Sequence, residues 1–391
     1  MAGTGISIIG SGHTRFGRRP ETLEELIVLA AREAVEESAI DPATIDAVFL
    51  GHFNSGLVPD GFASSLILQA YPELRFTPAA RCENACASGA AALHAGIGQI
   101  LSGRARTVLV VGAEKMTHRA TPDVTRALAG ASYQGDPTEA ALSFPQVFGL
   151  AAQAYAERHG SPLDAMAQIA SKNHDNAMAN PLAQMHKPMS VAHCATVSDM
   201  NPLIAPPLRL TDCSLVSDGA AAVVLTTDAQ AAAAPRAASL RAATHVSDLM
   251  PMSSRDFIRF EGPARAIAAA LDGAGVTLAD LDFAEVHDCF TIAELLIYEA
   301  MGLAPEGRGA DALADGTVLR GGALPVNLSG GLKAKGHPVG ATGVSMHALA
   351  FRQLTGTAGA MQCPGAGLGL VFNMGGAAVA NYASVLAARG A

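Results

Sequence analysis

The sequence predicts an α/β fold built from a duplicated unit, and three observations predict it. Apolar, β-branched runs alternate with helical patterns along the chain. The stretch AREAVEESAIDPATIDAVFLGHF (Ala31–Phe53) resembles AIAAALDGAGVTLADLDFAEVHDCF (Ala266–Phe290). A second pair, ACASGAAALHAGIGQILSG (Ala85–Gly103) and GATGVSMHALAFRQLTG (Gly340–Gly356), follows in the same order. Ala-rich helices resemble one another, so each pair alone is weak; their shared order and separation indicate duplication. In the first pair Val35 matches Leu271, Ile40 matches Val276, Ile45 matches Leu281 and Asp46 matches Asp282.

Taken in order, Gly5–Ile9 reads as a strand. Thr22 and Glu25 have capping-box spacing and open a helix that runs to about Glu37. Ile45–Leu50 and Thr107–Val111 read as strands. From Thr117 to about Asp212 the repeat's rhythm stops, and His, Met, Asn and Pro become frequent. A long irregular stretch inside a compact fold is usually functional or an inserted subdomain. Ser214–Thr227 returns to a Gly turn and strand, closing the first half. The expected organisation is a first half of residues 1–116 plus 213–236, an inserted loop domain over 117–212, and a second half over 237–391.

Half of the 391 residues are hydrophobic and 16% are charged, which supplies a large core and excludes a disordered chain. A net charge of −9 disfavours a broad nucleic-acid surface. A phosphate-bearing ligand needs only a local patch of cations or N–H groups and stays open. No apolar run is long enough to span a bilayer. The start lacks the order of a secretion signal, and the final AARGA is no peroxisomal tripeptide. The expectation is a cytoplasmic enzyme, away from membranes, with six Cys as individual thiols.

Four segments could carry chemistry. Cys86, in ENACASGAAAL, precedes a long apolar helix, whose N–H groups and dipole favour a thiolate and can hold an oxyanion. A buried Cys in an Ala-rich helix would look the same. His337, in GGLKAKGHPVGATG (Gly330–Gly343), sits in a tightly turned loop where it could activate a thiol, or simply bond a carbonyl. That loop matches neither the P-loop nor the dinucleotide pattern. His287 and Cys289, in EVHDCF, lie just past the strand Phe283–Val286, where α/β sheets build sites; an inert core thiol is the plainer reading of Cys289. Asn373-Met374-Gly375-Gly376 reads as a tight turn between strands that could aim an N–H into a site.

Together these segments resemble the thiolase superfamily, in its order and over nearly the whole chain. EVHDCF resembles the branch of sterol-carrier-protein-2-type thiolases and archaeal and bacterial acetyl-CoA acetyltransferases. Better-known thiolases read Asn-Glu-Ala-Phe there and carry their second cysteine in a C-terminal Cys-x-Gly loop. Here that loop reads Asn373-Met374-Gly375, and the thiol stands at Cys289.

The resemblance implies a five-layer α/β/α/β/α sandwich of two βαβαβαββ halves, five-stranded in the family, with an inserted loop domain. It implies that Cys86 is acylated, that His337 takes its proton and helps bind the thioester oxygen, and that Cys289 exchanges the α-carbon proton. His287 would hold a water in one oxyanion hole; the N–H groups of Cys86 and Gly375 would form the other. The implied reaction is thiolysis of a 3-oxoacyl-CoA or the reverse Claisen condensation of acetyl-CoA or acyl-CoA. The alternative is a related acyltransferase using a non-CoA acceptor or a small OB-fold or zinc-ribbon partner. A coenzyme A thioester enters as substrate, with no metal or redox cofactor, and the assembly would be a homodimer or homotetramer. Lys172, Lys187 and Arg209 are the cations in or near the insertion that could meet CoA phosphates. Cys82 is expected to be a packed thiol, since no zinc-spaced Cys/His cluster surrounds it. His118, His159, His174, His186 and His193 are expected on loops. A scaffold without activity would have lost Cys86; a ketosynthase would carry His or Asn in place of Cys289.

Overall fold

A computed structural model describes residues 3–390. Its first half contains strands β1 (Ile6–His13), β2 (Ala47–Gly51), β3 (Ala79–Cys82) and β4 (Thr107–Glu114), with helices α1 (Leu23–Ser38) and α2 (Ser88–Leu101). Then come α3 (Thr121–Ala129), α4 (Pro137–Ala140), α5 (Phe144–His159), α6 (Leu163–Ala177) and α7 (Val191–Ala195). A small hairpin follows, β5 (Leu203–Ala205) and β6 (Leu208–Arg209). Strand β7 (Gly219–Thr227) and helix α8 (Asp228–Ala231) lead to the second half. That half contains β8 (Ala238–Ser247), α9 (Glu261–Ala274), β9 (Phe283–Val286), α10 (Thr291–Ala300), α11 (Asp311–Ala314), α12 (Thr342–Leu354), β10 (Leu368–Gly375) and β11 (Ala380–Ala388).

The strands join in the order β3-β2-β4-β7-β1-β8-β11-β10-β9. Each half repeats one pattern. β1 pairs antiparallel with β7, β7 antiparallel with β4, and β4 parallel with β2. In the second half β8 pairs antiparallel with β11, β11 antiparallel with β10, and β10 parallel with β9. The halves meet edge to edge where β1 pairs with β8. Helix α1 covers β1, β7 and β4 on one side; α9 covers β8 and β11. Between the two half-sheets lie α2, against β2 and β4, and α12, against strands of both halves. The result is the α/β/α/β/α sandwich.

Local chemistry explains these elements. Thr22 accepts from the Glu25 N–H while Glu25 accepts from the Thr22 N–H, the reciprocal cap expected. Strands β4 and β7 are buried almost throughout, because helices cover both faces. The matched carboxylates Asp46 and Asp282 do the same work. Asp46 accepts from the N–H groups of Arg106 and Thr107, where β4 begins; Asp282 accepts from those of Gly367 and Leu368, where β10 begins.

Three expectations change. The segment from Thr117 to Asp212 is largely helical, not irregular, and its helices α3 to α7 do not carry the repeat's spacing. The second half has four strands, and a fifth is reduced to a single parallel bridge between Ala284 and Val326. Gly302, Gly307, Gly316 and Gly321 all take positive φ before that bridge, so the chain there turns instead of extending. Finally, Asn373–Gly375 belong to β10, and the turn begins at Gly376.

The central helices cross very closely. A Cβ on Gly343 would lie 2.4 Å from the Ala90 nitrogen, and one on Gly89 would lie 2.8 Å from the Gly340 carbonyl oxygen. Gly343→Ala is therefore expected to lose roughly 1–3 kcal/mol of stability, the usual cost of overpacking. A urea midpoint equal to that of the unsubstituted protein would refute the close crossing.

Candidate active site

The chain leaves β3 and folds into a tight turn before α2. Glu83 accepts from the Ala85 N–H at 2.6 Å. Ser88 accepts from the Asn84 N–H at 2.9 Å and donates to the Ala85 carbonyl at 2.6 Å. Ala85 has φ +51°, a left-handed conformation costly for a residue with a Cβ. This strained turn presents half-buried Cys86 just ahead of the helix, with its sulfur facing the N–H of Gly376.

The helix start was expected to favour a thiolate. Instead burial, with the Glu114 and Glu83 charges, pushes the Cys86 thiol up to about 12. The N–H groups of Gly376 and of Cys86 itself pull the other way and are outweighed.

His337 is held from both sides. Its N–H donates to Ser217 Oγ at 2.9 Å. Its Nδ1 lies 2.7 Å from Thr342 Oγ1, whose hydroxyl donates to the Pro338 carbonyl at 3.0 Å. With that proton engaged, Thr342 accepts from Nδ1–H, which leaves Nε2 bare; Nε2 is buried with no hydrogen-bond partner. Burial, then the Lys335 charge, lowers His337 to about 3, so the imidazole is neutral.

Asn373 Nδ2 donates to the Cys86 carbonyl at 3.3 Å and lies 2.8 Å from His287 Nδ1. His287 Nδ1 is therefore the acceptor, and its proton sits on Nε2. Burial, followed by His337 and Lys335, keeps His287 neutral as well. The two imidazoles cross edge to face, with centroids 5.2 Å apart. The Cys86 sulfur and one nitrogen of each ring lie within 4.8 Å of one another. Sulfur and two imidazoles are also a ligand set that suits zinc, and these are the residues that could hold a metal. Cys289 stands outside that group but lines the same cavity; burial, then Cys86 and Asp288, raises its thiol well above the ordinary value.

Two carboxylates brace the site and went unnoticed in the sequence. Glu114, buried at the end of β4, accepts from the N–H groups of Phe53, Asn54 and Gly340 at 3.0–3.1 Å. Asp288 accepts from the N–H groups of Leu332 and Lys333, fixing the turn before His337. Glu114 lies in no motif, and only its position at a strand's carboxyl end hinted at a role; Asp288 stands inside EVHDCF, between His287 and Cys289.

Other expected site residues are placed differently. Lys172 is buried and bonds Glu294 at 2.6 Å, and Arg209 is buried against Asp212 at 2.7 Å, so neither is free to meet a phosphate. Lys187 is exposed. The N–H that reaches the thiol belongs to Gly376, one residue beyond Gly375, which packs on the Asn84 carbonyl. His159, His174 and His193 lie on helices, not loops. Cys82 is half-buried against the core.

The site opens into an apolar cavity of about 390 Å³. Its inner part is lined by buried Phe53, Met116 and Val124; its outer part by exposed Ile204, Leu210 and Val216. Cys86, Cys289 and His337 line it too.

A thiol and a neutral imidazole beside an apolar cavity are a set that suits an enzyme carrying acyl groups on sulfur. The family model of the thiolase N-terminal domain matches residues 6–200, and that of the thiolase C-terminal domain-like family matches residues 243–388. The acetyl-CoA acetyltransferase of Methanothermobacter thermautotrophicus is 37% identical over 95% of this chain and 96% of its own. Sterol carrier protein 2 of Bos taurus is 31% identical over 95% of this chain and 70% of its own. The solved structure described as an Ltp2-ChsH2(DUF35) aldolase superposes with a TM-score of 0.81, at 21% identity, over 99% of each chain. The chain belongs to the thiolase family and is a thiolase-type acyltransferase. Among the described residues, no helix is long and apolar enough to cross a membrane.

Because Cys86 is a neutral thiol at rest, its alkylation by iodoacetamide should accelerate about tenfold per pH unit through pH 9. A plateau near pH 7 would show a preformed thiolate.

Proposed function

We propose that this enzyme cleaves 3-oxoacyl-CoA with coenzyme A, or runs the reverse condensation, through an acyl group on Cys86. The observation that carries the reading is the meeting of the Cys86 sulfur with one nitrogen each of His337 and His287, two rings whose Nδ1 atoms are engaged by Thr342 and Asn373. His337 Nε2 takes the Cys86 proton as the sulfur attacks the 3-oxo carbon. The C2–C3 bond then breaks, leaving Cys86 acylated and an acetyl-CoA enolate. Cys289 gives its proton to the enolate carbon, and the incoming CoA thiol restores that proton as it attacks the acyl-Cys86. The His287 Nε2–H, directly or through a water, stabilises the enolate oxygen. The N–H groups of Cys86 and Gly376 stabilise the oxyanion at the acyl carbon. A donor of this kind contributes ~3–4 kcal/mol.

The exposed edge of β3 supports a homodimer, since an uncovered strand is a template for pairing with a second copy. Six unpaired cysteines support a cytoplasmic, reducing setting. A second reading, in which a small OB-fold protein assists, is favoured by one observation. The segment beside the outer cavity exposes Val197, Met200, Leu203, Ile204, Leu210 and Val216. Such an apolar patch suits a protein contact, and a similar structure is described as an Ltp2-ChsH2(DUF35) aldolase. Co-purification with a coexpressed OB-fold protein would separate the two.

Intact-mass measurement after mixing with acetyl-CoA should show one acetyl adduct, absent in Cys86→Ser. Cys289→Ala should keep the adduct while thiolysis of 3-oxoacyl-CoA falls by about 10²–10⁴, the range of a general acid–base group. Full thiolysis by Cys289→Ala would remove that residue from the reaction.

A further inference from the structure

We infer that one face of α3 makes this enzyme selective for acyl groups that are uncharged, apolar and larger than acetyl. The inference rests on the acyl-Cys86 reading above and specifies its substrate. Thr121, Val124, Thr125 and Leu128 are spaced i, i+3, i+4, i+7 and so share one face of the helix. All of them line the cavity that holds Cys86. Val124 and its neighbour Met116 are almost fully buried there and Leu128 is half-buried, so these three form the inner limb, whereas Thr121 and Thr125, like Ile204, Leu210 and Val216, are exposed at the open limb. A CoA thioester must thread its pantetheine through the open limb. Its acyl group then lies against α3.

The charges of this segment turn away. Asp123 and Arg126 pair with each other at 3.0 Å and, with Arg119, line a separate surface pocket. Arg119 is spent on the Leu57 carbonyl at 2.7 Å. Among the described residues, no Lys, Arg, Asp or Glu lines the cavity. The Thr125 hydroxyl already donates to the Thr121 carbonyl at 3.0 Å, so it does not wait for a ligand. A carboxylate on the acyl chain would meet at most the hydroxyls of Thr121 and Ser214 and no cation, and a charge buried without a counter-ion is costly. An acetyl group would leave the inner limb mostly unfilled, whereas each methylene placed in such a pocket is worth about 10–200-fold in discrimination.

The test is the rate of acyl transfer to Cys86 from acetyl-CoA, octanoyl-CoA and succinyl-CoA, followed by intact mass. This readout needs no carbon–carbon chemistry. Octanoyl transfer should be more than about 10-fold faster than acetyl transfer, and succinyl transfer slowest. Val124→Trp should cut the octanoyl-to-acetyl ratio by more than about 10-fold, and Leu128→Trp should do the same should the first variant fold poorly. Fastest transfer from acetyl-CoA or succinyl-CoA, or an unchanged ratio in a folded Trp variant, would overturn the inference. Should no thioester label Cys86, the catalytic reading fails by itself. Equilibrium binding of the same thioesters to Cys86→Ala then decides selectivity, with octanoyl-CoA expected to bind tightest and equal affinities refuting it.

Discussion

The site depends on the closeness of two helix starts. α2 and α12 come from opposite halves of the chain, yet their first turns meet with only hydrogen atoms between them, at Gly89, Gly340 and Gly343. Cys86 stands just before one helix and His337 just before the other, so this contact is what sets a sulfur beside an imidazole. Glu114 reinforces it. Its carboxylate sits at the end of β4 and binds backbone N–H groups on the Phe53 loop and on the His337 loop together. A buried carboxylate is tolerated there because it accepts several hydrogen bonds.

The electrostatics of the pair follow from burial. The thiol is pushed up and the imidazole is pulled down, so both are neutral at rest. A thiolate–imidazolium pair is disfavoured until something compensates it. In the proposed reaction that compensation is the developing oxyanion, met by preorganised N–H donors. The helix dipole alone does not overcome desolvation, which is why the start of α2 does not hold a standing thiolate. The same apolar surroundings that suppress the thiolate form the cavity proposed to take an acyl chain. In the proposed reaction an apolar pocket therefore keeps the thiol neutral at rest and favours an apolar acyl chain.

The fold was largely legible because it is written in local patterns. The capping box at Thr22, the β-branched run of β4 and the matched Asp46 and Asp282 all survive as short-range signals. The segments that bring Cys86, His337 and Cys289 to one cavity, with His287 beside Cys86 and His337, were legible as motifs. What could not be read was partnership across the chain. Lys172 and Arg209 look like free cations in sequence, but Glu294 and Asp212 neutralise them. The direction of the Cys86 shift was missed because solvation is a property of everything packed around a residue, not of its neighbours in sequence. Asn373 looked like a turn residue because Asn-x-Gly-Gly favours turns. The ladder with β11 extends it, and its side chain turns to His287.

Duplication supplies the frame, and divergence at matched positions supplies the chemistry. Asp46 and Asp282 align the start of β4 with that of β10, pairing Thr107 with Leu368. Counted along both strands, each eight residues long, the last positions coincide: Glu114 in the first half and Gly375 in the second. The first half ends its strand in a carboxylate that braces two loops. At the same place the second half has no side chain, and a Cβ there would lie 2.3 Å from the Asn84 carbonyl oxygen. That bare position lets the chain approach the turn before α2 and bring the Gly376 N–H to the Cys86 sulfur. One copy of the repeat has become the support and the other the contact, and a symmetric pair of such ends could not have provided both.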